Sequence, residues 1–180
     1  MFDTSSLEAQ VEAYVEEKLQ EQAVAIADRI LMTDPTGKSV QDIMYITGLP
    51  LYLAETVFDK CEWKKNYKRS FQKGYVRGQV TVARNIAKNE DVDAKKMESI
   101  LEIDHEIAEQ WKKNPDKAAI TELLYRQLDI SDIMDALSMT IEKVQELMPD
   151  CQELQTYQPA FKPVTVTDED AEMAYQEKFA

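Results

Sequence analysis

Residues 39–57 read SVQDIMYITGLPLYLAETV, residues 93–111 read DAKKMESILEIDHEIAEQW, and residues 129–147 read DISDIMDALSMTIEKVQEL. The three stretches align without gaps at offsets of 54 and then 36 residues. Ser39, Asp93 and Asp129 fall in register, and each is a good N-cap, because its side-chain oxygen accepts from amides that a helix start leaves open. Pro50, Asp104 and Thr140 also fall in register. Each can open a second helix, proline at the first helical position and the other two as caps. Matching slots are apolar: Ile43, Met97, Ile133; Ile46, Ile100, Ala136; Leu49, Ile103, Met139; Ala54, Ala108, Val144; Val57, Trp111, Leu147. Each copy therefore reads as a helix of about eight to ten residues, a turn of about three, and another helix, which is helix-turn-helix spacing.

Each pair is preceded by a further amphipathic stretch, at 23–32, 79–88 and 117–127. The helical units expected are 23–58, 79–113 and 114–148. Their unequal spacing favours packed bundles over a regular solenoid. Residues 1–22 precede them, with a long helix over 5–22. Its apolar ridge at Leu7, Val11, Tyr14/Val15 and Leu19 runs beside an acidic stripe of Glu8, Glu12 and Glu16. Residues 149–180 follow as a tail. Residues 149–166 hold three of the six prolines and no helical period, so they are expected to be extended. Thr167 and Asp170 have capping-box spacing for one short acidic helix to about residue 178. The expected fold is all-α: three tandem helix-turn-helix-like units, a long N-terminal helix and an extended C-terminal tail.

Composition supports this. The chain has 180 residues and only four glycines, whereas tight hairpin turns and phosphate loops consume glycine. One histidine, His105, is too few for a His-rich zinc site. Cys61 and Cys151 make neither a disulfide framework nor a metal knuckle. No cofactor and no metal are expected. No apolar run approaches the length needed to cross a bilayer, and no basic-then-apolar segment opens the sequence, so a cytoplasmic protein without membrane contact is the expectation.

The net charge of −13 conceals an asymmetry. Residues 1–58 carry ten acidic and three basic side chains, residues 59–88 two and nine, and residues 89–180 twenty-two and nine. The basic island includes 59–78, a helix of its own in this reading. Trp63, Tyr67, Phe71 and Tyr75 recur every four residues there, flanked by Lys60, Lys64 and Lys68 on one row and Lys65, Arg69, Lys73 and Arg77 on the other. Cations in such rows neutralise phosphates, and aromatic rings stack on unpaired bases. Lys60, Lys64, Lys65, Lys68, Arg69, Lys73 and Arg77 are therefore the candidate contacts with nucleic acid or an acidic protein surface. The competing arrangement is internal: aromatic rings in a core, and cations neutralised by the Glu8–Glu21 stripe.

Other motifs carry no chemistry. The second helices of the pairs offer Leu51, Tyr52, Glu55 and Thr56, then His105, Glu106, Glu109 and Gln110, then Glu142, Lys143, Gln145 and Glu146, where a DNA-reading helix usually offers Arg, Lys, Asn or Gln; the carboxylates would repel phosphate, so these pairs read as scaffold. DPTGKS at 34–39 ends like a phosphate loop, but Met32 stands where the first glycine belongs, so it reads as a turn. Glu62-Trp63-Lys64 has the E-x-K spacing of a metal nuclease without strands to hold it. No residue is expected to be catalytic.

KGYVRGQVTVARNIAKNEDVDAKKMESILEIDHEIAEQW at 73–111 resembles the C-terminal tail of the transposase-associated, recombination-promoting nuclease family. The shared features are a charged helix with glycines four apart, here Gly74 and Gly78, then A-R-N-apolar and a helix-turn-helix. TGLPLYLAE at 47–55 resembles the last element of that tail. The resemblance implies a mobile-element or phage setting. The family's nuclease domain has no counterpart here, so no catalytic residue carries over. Two functions follow as expectations. The first is a non-enzymatic binding protein that meets nucleic acid, or a nucleic-acid-handling protein, through the basic helix. The other is an acidic inhibitor of a nucleic-acid-binding enzyme, of the anti-defence (anti-CRISPR) kind, contacting through the acidic faces at 98–109 and 129–150.

Overall fold

Capping decides where most of these helices begin. The computed structural model describes residues 4–33 and 37–179, with side chains from Ala9 onward. It is all-α, with no strand among the described residues. The helices are α1 (Thr4–Thr33), α2 (Val40–Thr47), α3 (Leu51–Lys88), α4 (Ala94–Leu101), α5 (His105–Lys113), α6 (Pro115–Tyr125), α7 (Ile130–Leu137), α8 (Ile141–Leu147), α9 (Cys151–Thr156) and α10 (Asp168–Phe179). Ser39, Asp93 and Asp129 each accept the backbone N–H three residues on, from Asp42, Lys96 and Asp132. The same helices end in register on left-handed residues, Gly48, Glu102 and Ser138, whose N–H groups return to Met44, Glu98 and Met134. Only Gly48 reaches that region without a Cβ penalty.

The second helices start at the matching positions. Ala54, Ala108 and Val144 donate to the carbonyls of Pro50, Asp104 and Thr140, and all three side chains are fully buried. Ile43, Met97 and Ile133 are fully buried too. Two expectations differ. The Asp104 side chain makes no cap bond, leaving only its backbone to begin α5. The slot of Ile46, Ile100 and Ala136 is not core: both isoleucines are exposed and the alanine is half-buried.

Several expected segments are fused. Residues 5–22 and 23–32 form one helix, α1. The second helix of the first pair, the basic stretch 59–78 and the lead helix 79–88 form one 38-residue helix, α3. Its run of Lys, Arg, Gln and Glu gives no reason to stop, and Gly74 and Gly78 weaken it by about 1 kcal/mol each without breaking it. The segment 149–166 is not wholly extended, because Asp150 and Glu153 form a capping box that starts α9. The box expected at Thr167 and Asp170 is present before α10.

The chain divides into two compact units, residues 1–68 with 167–180, and residues 69–166. The first has a core of Ala27, Leu31, Ile43, Leu49, Ala54, Val57 and Cys61. The second is built on Val80, Ala83, Met97, Trp111, Ile120, Leu123, Ile133, Leu137 and Val144. Ala27 and Leu31, Ala83 and Ala87, and Ala119 and Leu123 are the buried i, i+4 pairs that the three lead segments contribute.

Candidate contact surface on the basic helix

Lysines spaced four apart on a helix make one row, so Lys60, Lys64 and Lys68 share a face of α3. In the first unit that face meets α10. Lys60 Nζ lies 2.7 Å from Glu172 Oε1, and Lys68 pairs with Asp168. Lys64 is buried and donates to Asp28 at 2.9 Å and to Glu172 at 3.2 Å. Burial disfavours the charge on Lys64, yet the bonds to Asp28 and Glu172 win and hold its pKa above the ordinary lysine value. The same contest places Glu172 below the usual carboxylate range: burial raises it, and Lys60 and Lys64 overcome that. The aromatic row continues the contact. Trp63 stacks on Tyr67 at 5.3 Å between centroids and makes T-shaped pairs with Tyr175 and Phe179 at 5.3 and 5.9 Å. Lys65 is held within its own helix by Glu62 at 3.1 Å.

The remaining cations belong to the second unit. Lys73 Nζ lies 2.7 Å from Asp132, and Arg77 approaches the same carboxylate at 3.7 Å. The hydrogen bond to Asp132 raises the Lys73 pKa. Arg69 is exposed and has no carboxylate partner among the described residues. It opens onto a cleft of about 720 Å³ also lined by Gln72, Lys73, Arg126 and Gln127. Phe71 and Tyr75 stack at 6.4 Å on the exposed side of α3, so the aromatic row is half-buried at Trp63 and Tyr67 and surface thereafter.

Internal neutralisation of the basic rows is therefore real, but its agents are not those the sequence suggested. Glu12 and Glu16 are exposed and pair with none of these cations, and the Glu8 side chain lies outside the described residues. The partners are Asp28, Glu62, Asp132, Asp168 and Glu172. A signal for part of this was in the sequence: Asp168, Glu172, Tyr175 and Phe179 share one helical face and complement Lys60, Trp63, Lys64 and Lys68.

A second buried charge was missed. Glu122 is fully buried on α6, where its carboxylate accepts from Arg126 Nε at 3.0 Å, Tyr157 Oη at 2.8 Å and the Ala160 amide at 2.8 Å. Arg126 also donates to the Phe161 carbonyl. This cluster ties residues 157–161 to the second unit.

The acidic faces are open. Glu102, Asp104, Glu106 and Glu109 are exposed around α5, where His105 sits 2.9 Å from Glu98 and 3.5 Å from Glu109. Asp129, Asp135, Glu142, Glu146 and Asp150 are exposed along α7, α8 and the turn beyond. Cys61 is buried and bonded to Asp28, and Cys151 is exposed. Among the described residues no three His, Cys, Asp or Glu side chains are grouped to hold a metal ion, and no helix is long and apolar enough to cross a membrane. Gly37 has φ 71°, and Ser39 and Asp42 cap α2. Residues 34–36 of the DPTGKS turn lie outside the described residues. No protein-family model, curated protein or solved structure matches the chain.

Proposed function

We propose that this is a non-enzymatic binding protein that presents an acidic surface to the basic, nucleic-acid-binding face of another protein and thereby blocks it. One observation carries the reading: among the described residues six of the seven cations in the basic rows, all but Arg69, already have a carboxylate partner within the fold. With that island neutralised, the excess of 34 acidic over 21 basic side chains dominates the outward field. A field of one sign repels nucleic acid, steers basic partners and suppresses wrong ones. The contact faces are those around Glu106 and Glu109 on α5 and Asp135 and Glu142 on α7 and α8. The mobile-element or phage setting rests on the sequence resemblance at 73–111.

The test is retention on immobilised nucleic-acid-binding proteins, with duplex DNA as competitor. Binding should be salt-sensitive, displaced by DNA, and lost when Glu109 and Asp135 are reversed to lysine with the fold intact. Retention indifferent to DNA and to both reversals would refute the reading. A second reading, direct nucleic-acid contact, is favoured by Arg69, whose guanidinium has no carboxylate partner among the described residues and, beside Lys73 and Arg126, suits a phosphate.

A further inference from the structure

The face of α3 made by Lys60, Trp63, Lys64, Tyr67 and Lys68 is covered by α10. α10 presents Asp168, Glu172, Tyr175 and Phe179 at i, i+4, i+7 and i+11, one side of a helix. The carboxylates meet the lysine row, and the two rings make T-shaped contacts with Trp63. Lys178 and Lys60 close the arrangement over aromatic rings, 5.5 Å from the Trp63 centroid and 5.4 Å from the Tyr175 centroid. Ala171 is fully buried, but the apolar cluster of the first unit, Ala27, Leu31, Ile43, Leu49, Ala54, Val57 and Cys61, lies in α1, α2, α3 and the turn between the last two. Apart from Ala171, α10 buries nothing fully, and Met173 and Phe179 remain more than half exposed. Beyond Ala171 and the pair between Glu172 and the buried Lys64, the helix is held by the more exposed pairs of Lys60 and Lys68 and by ring contacts, which are individually weak, salt-sensitive and exchangeable. The chain before it, residues 157–167, has no helix from which α10 could be propagated.

We infer that this face is a receptor for an acidic amphipathic helix of a partner protein, carrying two carboxylates one turn apart followed by two aromatic residues, and that α10 is its built-in competitor. Asp28 holds Lys64 from the other side at 2.9 Å, so the receptor keeps its central lysine oriented when α10 leaves. The buried Cys61 thiol donates to the same Asp28 oxygen and fixes that carboxylate. This site is separate from the acidic faces proposed above and stands without them.

The experiment uses the full chain and a fluorescein-labelled peptide of residues 167–180, TDEDAEMAYQEKFA. The native protein should bind the peptide weakly, since its own α10 occupies the face. D168N/E172Q, which loosens α10 without changing its shape, should bind at least tenfold more tightly, less so at high salt. E169Q/E177Q makes the same charge change on exposed positions and should behave as native, and adding K60E/K68E to D168N/E172Q should abolish binding. Equal binding by D168N/E172Q and native protein would overturn the inference. Amide hydrogen exchange on the native chain gives an independent arm. The 171–179 amides should exchange by local opening, well ahead of those at 80–87 in α3, and equal protection would show α10 to be integral. A single-stranded oligonucleotide that outcompetes the peptide on D168N/E172Q would overturn the choice of partner.

Discussion

Replacing Lys64 and Arg69 by methionine, one at a time, separates a cation that holds the fold from one that does not. The two lie five residues apart on the same helix, and sequence alone ranks them as equal contacts. The Lys64 side chain is 4% exposed and sits between Asp28 and Glu172, which are 38% and 31% exposed. Removing one partner of a buried pair costs about 3–5 kcal/mol, because the remaining charge is stranded, whereas exposed pairs are worth about 0–1 kcal/mol. Both stranded carboxylates can rehydrate in part, and methionine keeps most of the packing, so Lys64→Met should cost about 2–3 kcal/mol. That is a large share of a typical stability of about 5–15 kcal/mol. Arg69→Met removes an exposed side chain without a carboxylate partner among the described residues and should change stability by less than about 0.5 kcal/mol. Urea unfolding followed by far-UV circular dichroism reads both. A loss below about 0.5 kcal/mol for Lys64→Met, or an equal loss for Arg69→Met, would refute the assignment of the lysine row to internal pairing.

Further outcomes follow from other sites. Glu122→Gln leaves Arg126 stranded beside Tyr157 and should cost about 3 kcal/mol, with amides near Ala160 losing exchange protection first; unchanged protection there would contradict the clamp. Cys151 should react with a thiol reagent at once, and Cys61 only on unfolding. Burial, reinforced by Asp28, pushes the Cys61 thiol up to about 12. Because the folded form keeps that proton while the unfolded thiol loses it above about 8.5, this contribution to stability is full below that pH and falls as pH climbs toward 12. Cys61→Ser should flatten the alkaline loss, and an unchanged slope would show another group to be responsible. Glu102→Gly relieves a left-handed residue at the position that Gly48 fills in the first pair, and should stabilise the protein by about 0.5–1 kcal/mol; destabilisation would mean that the Glu102 side chain does more than fill the turn.

The helices were legible because their signals are local. Ser39, Asp93 and Asp129 announce their caps within three residues, and Ile43, Met97 and Ile133 announce a buried face by period alone. Fusion into α1 and α3 was harder to see, since a pair boundary and an unbroken helix share the same apolar period. The 149–166 segment hid α9 because prolines outweighed the Asp150–Glu153 box. The candidate site was legible only in kind. A basic aromatic face on α3 is there to be read, but the carboxylates that neutralise Lys60, Lys64 and Lys68 lie roughly a hundred residues away in α10, or on α1 at Asp28. Local spacing proposed Glu12 and Glu16 because they were the nearest acidic stripe, yet proximity along the chain carries no weight once loops reposition the helices. Glu122 was invisible for a related reason, as a lone glutamate on an amphipathic helix gives no sign that Tyr157 and Ala160 will close over it.

The measurement that bears most directly on the account is the affinity of the native protein for labelled single- and double-stranded DNA and RNA at low salt, read by fluorescence anisotropy. With six of the seven row cations paired within the fold and a net charge of −13, the protein should bind none of them. Binding that weakens with salt along a slope of several phosphate contacts, and that is lost on reversing Arg69 and Lys73 to glutamate, would contradict the account and return the basic helix to the role its sequence first suggested.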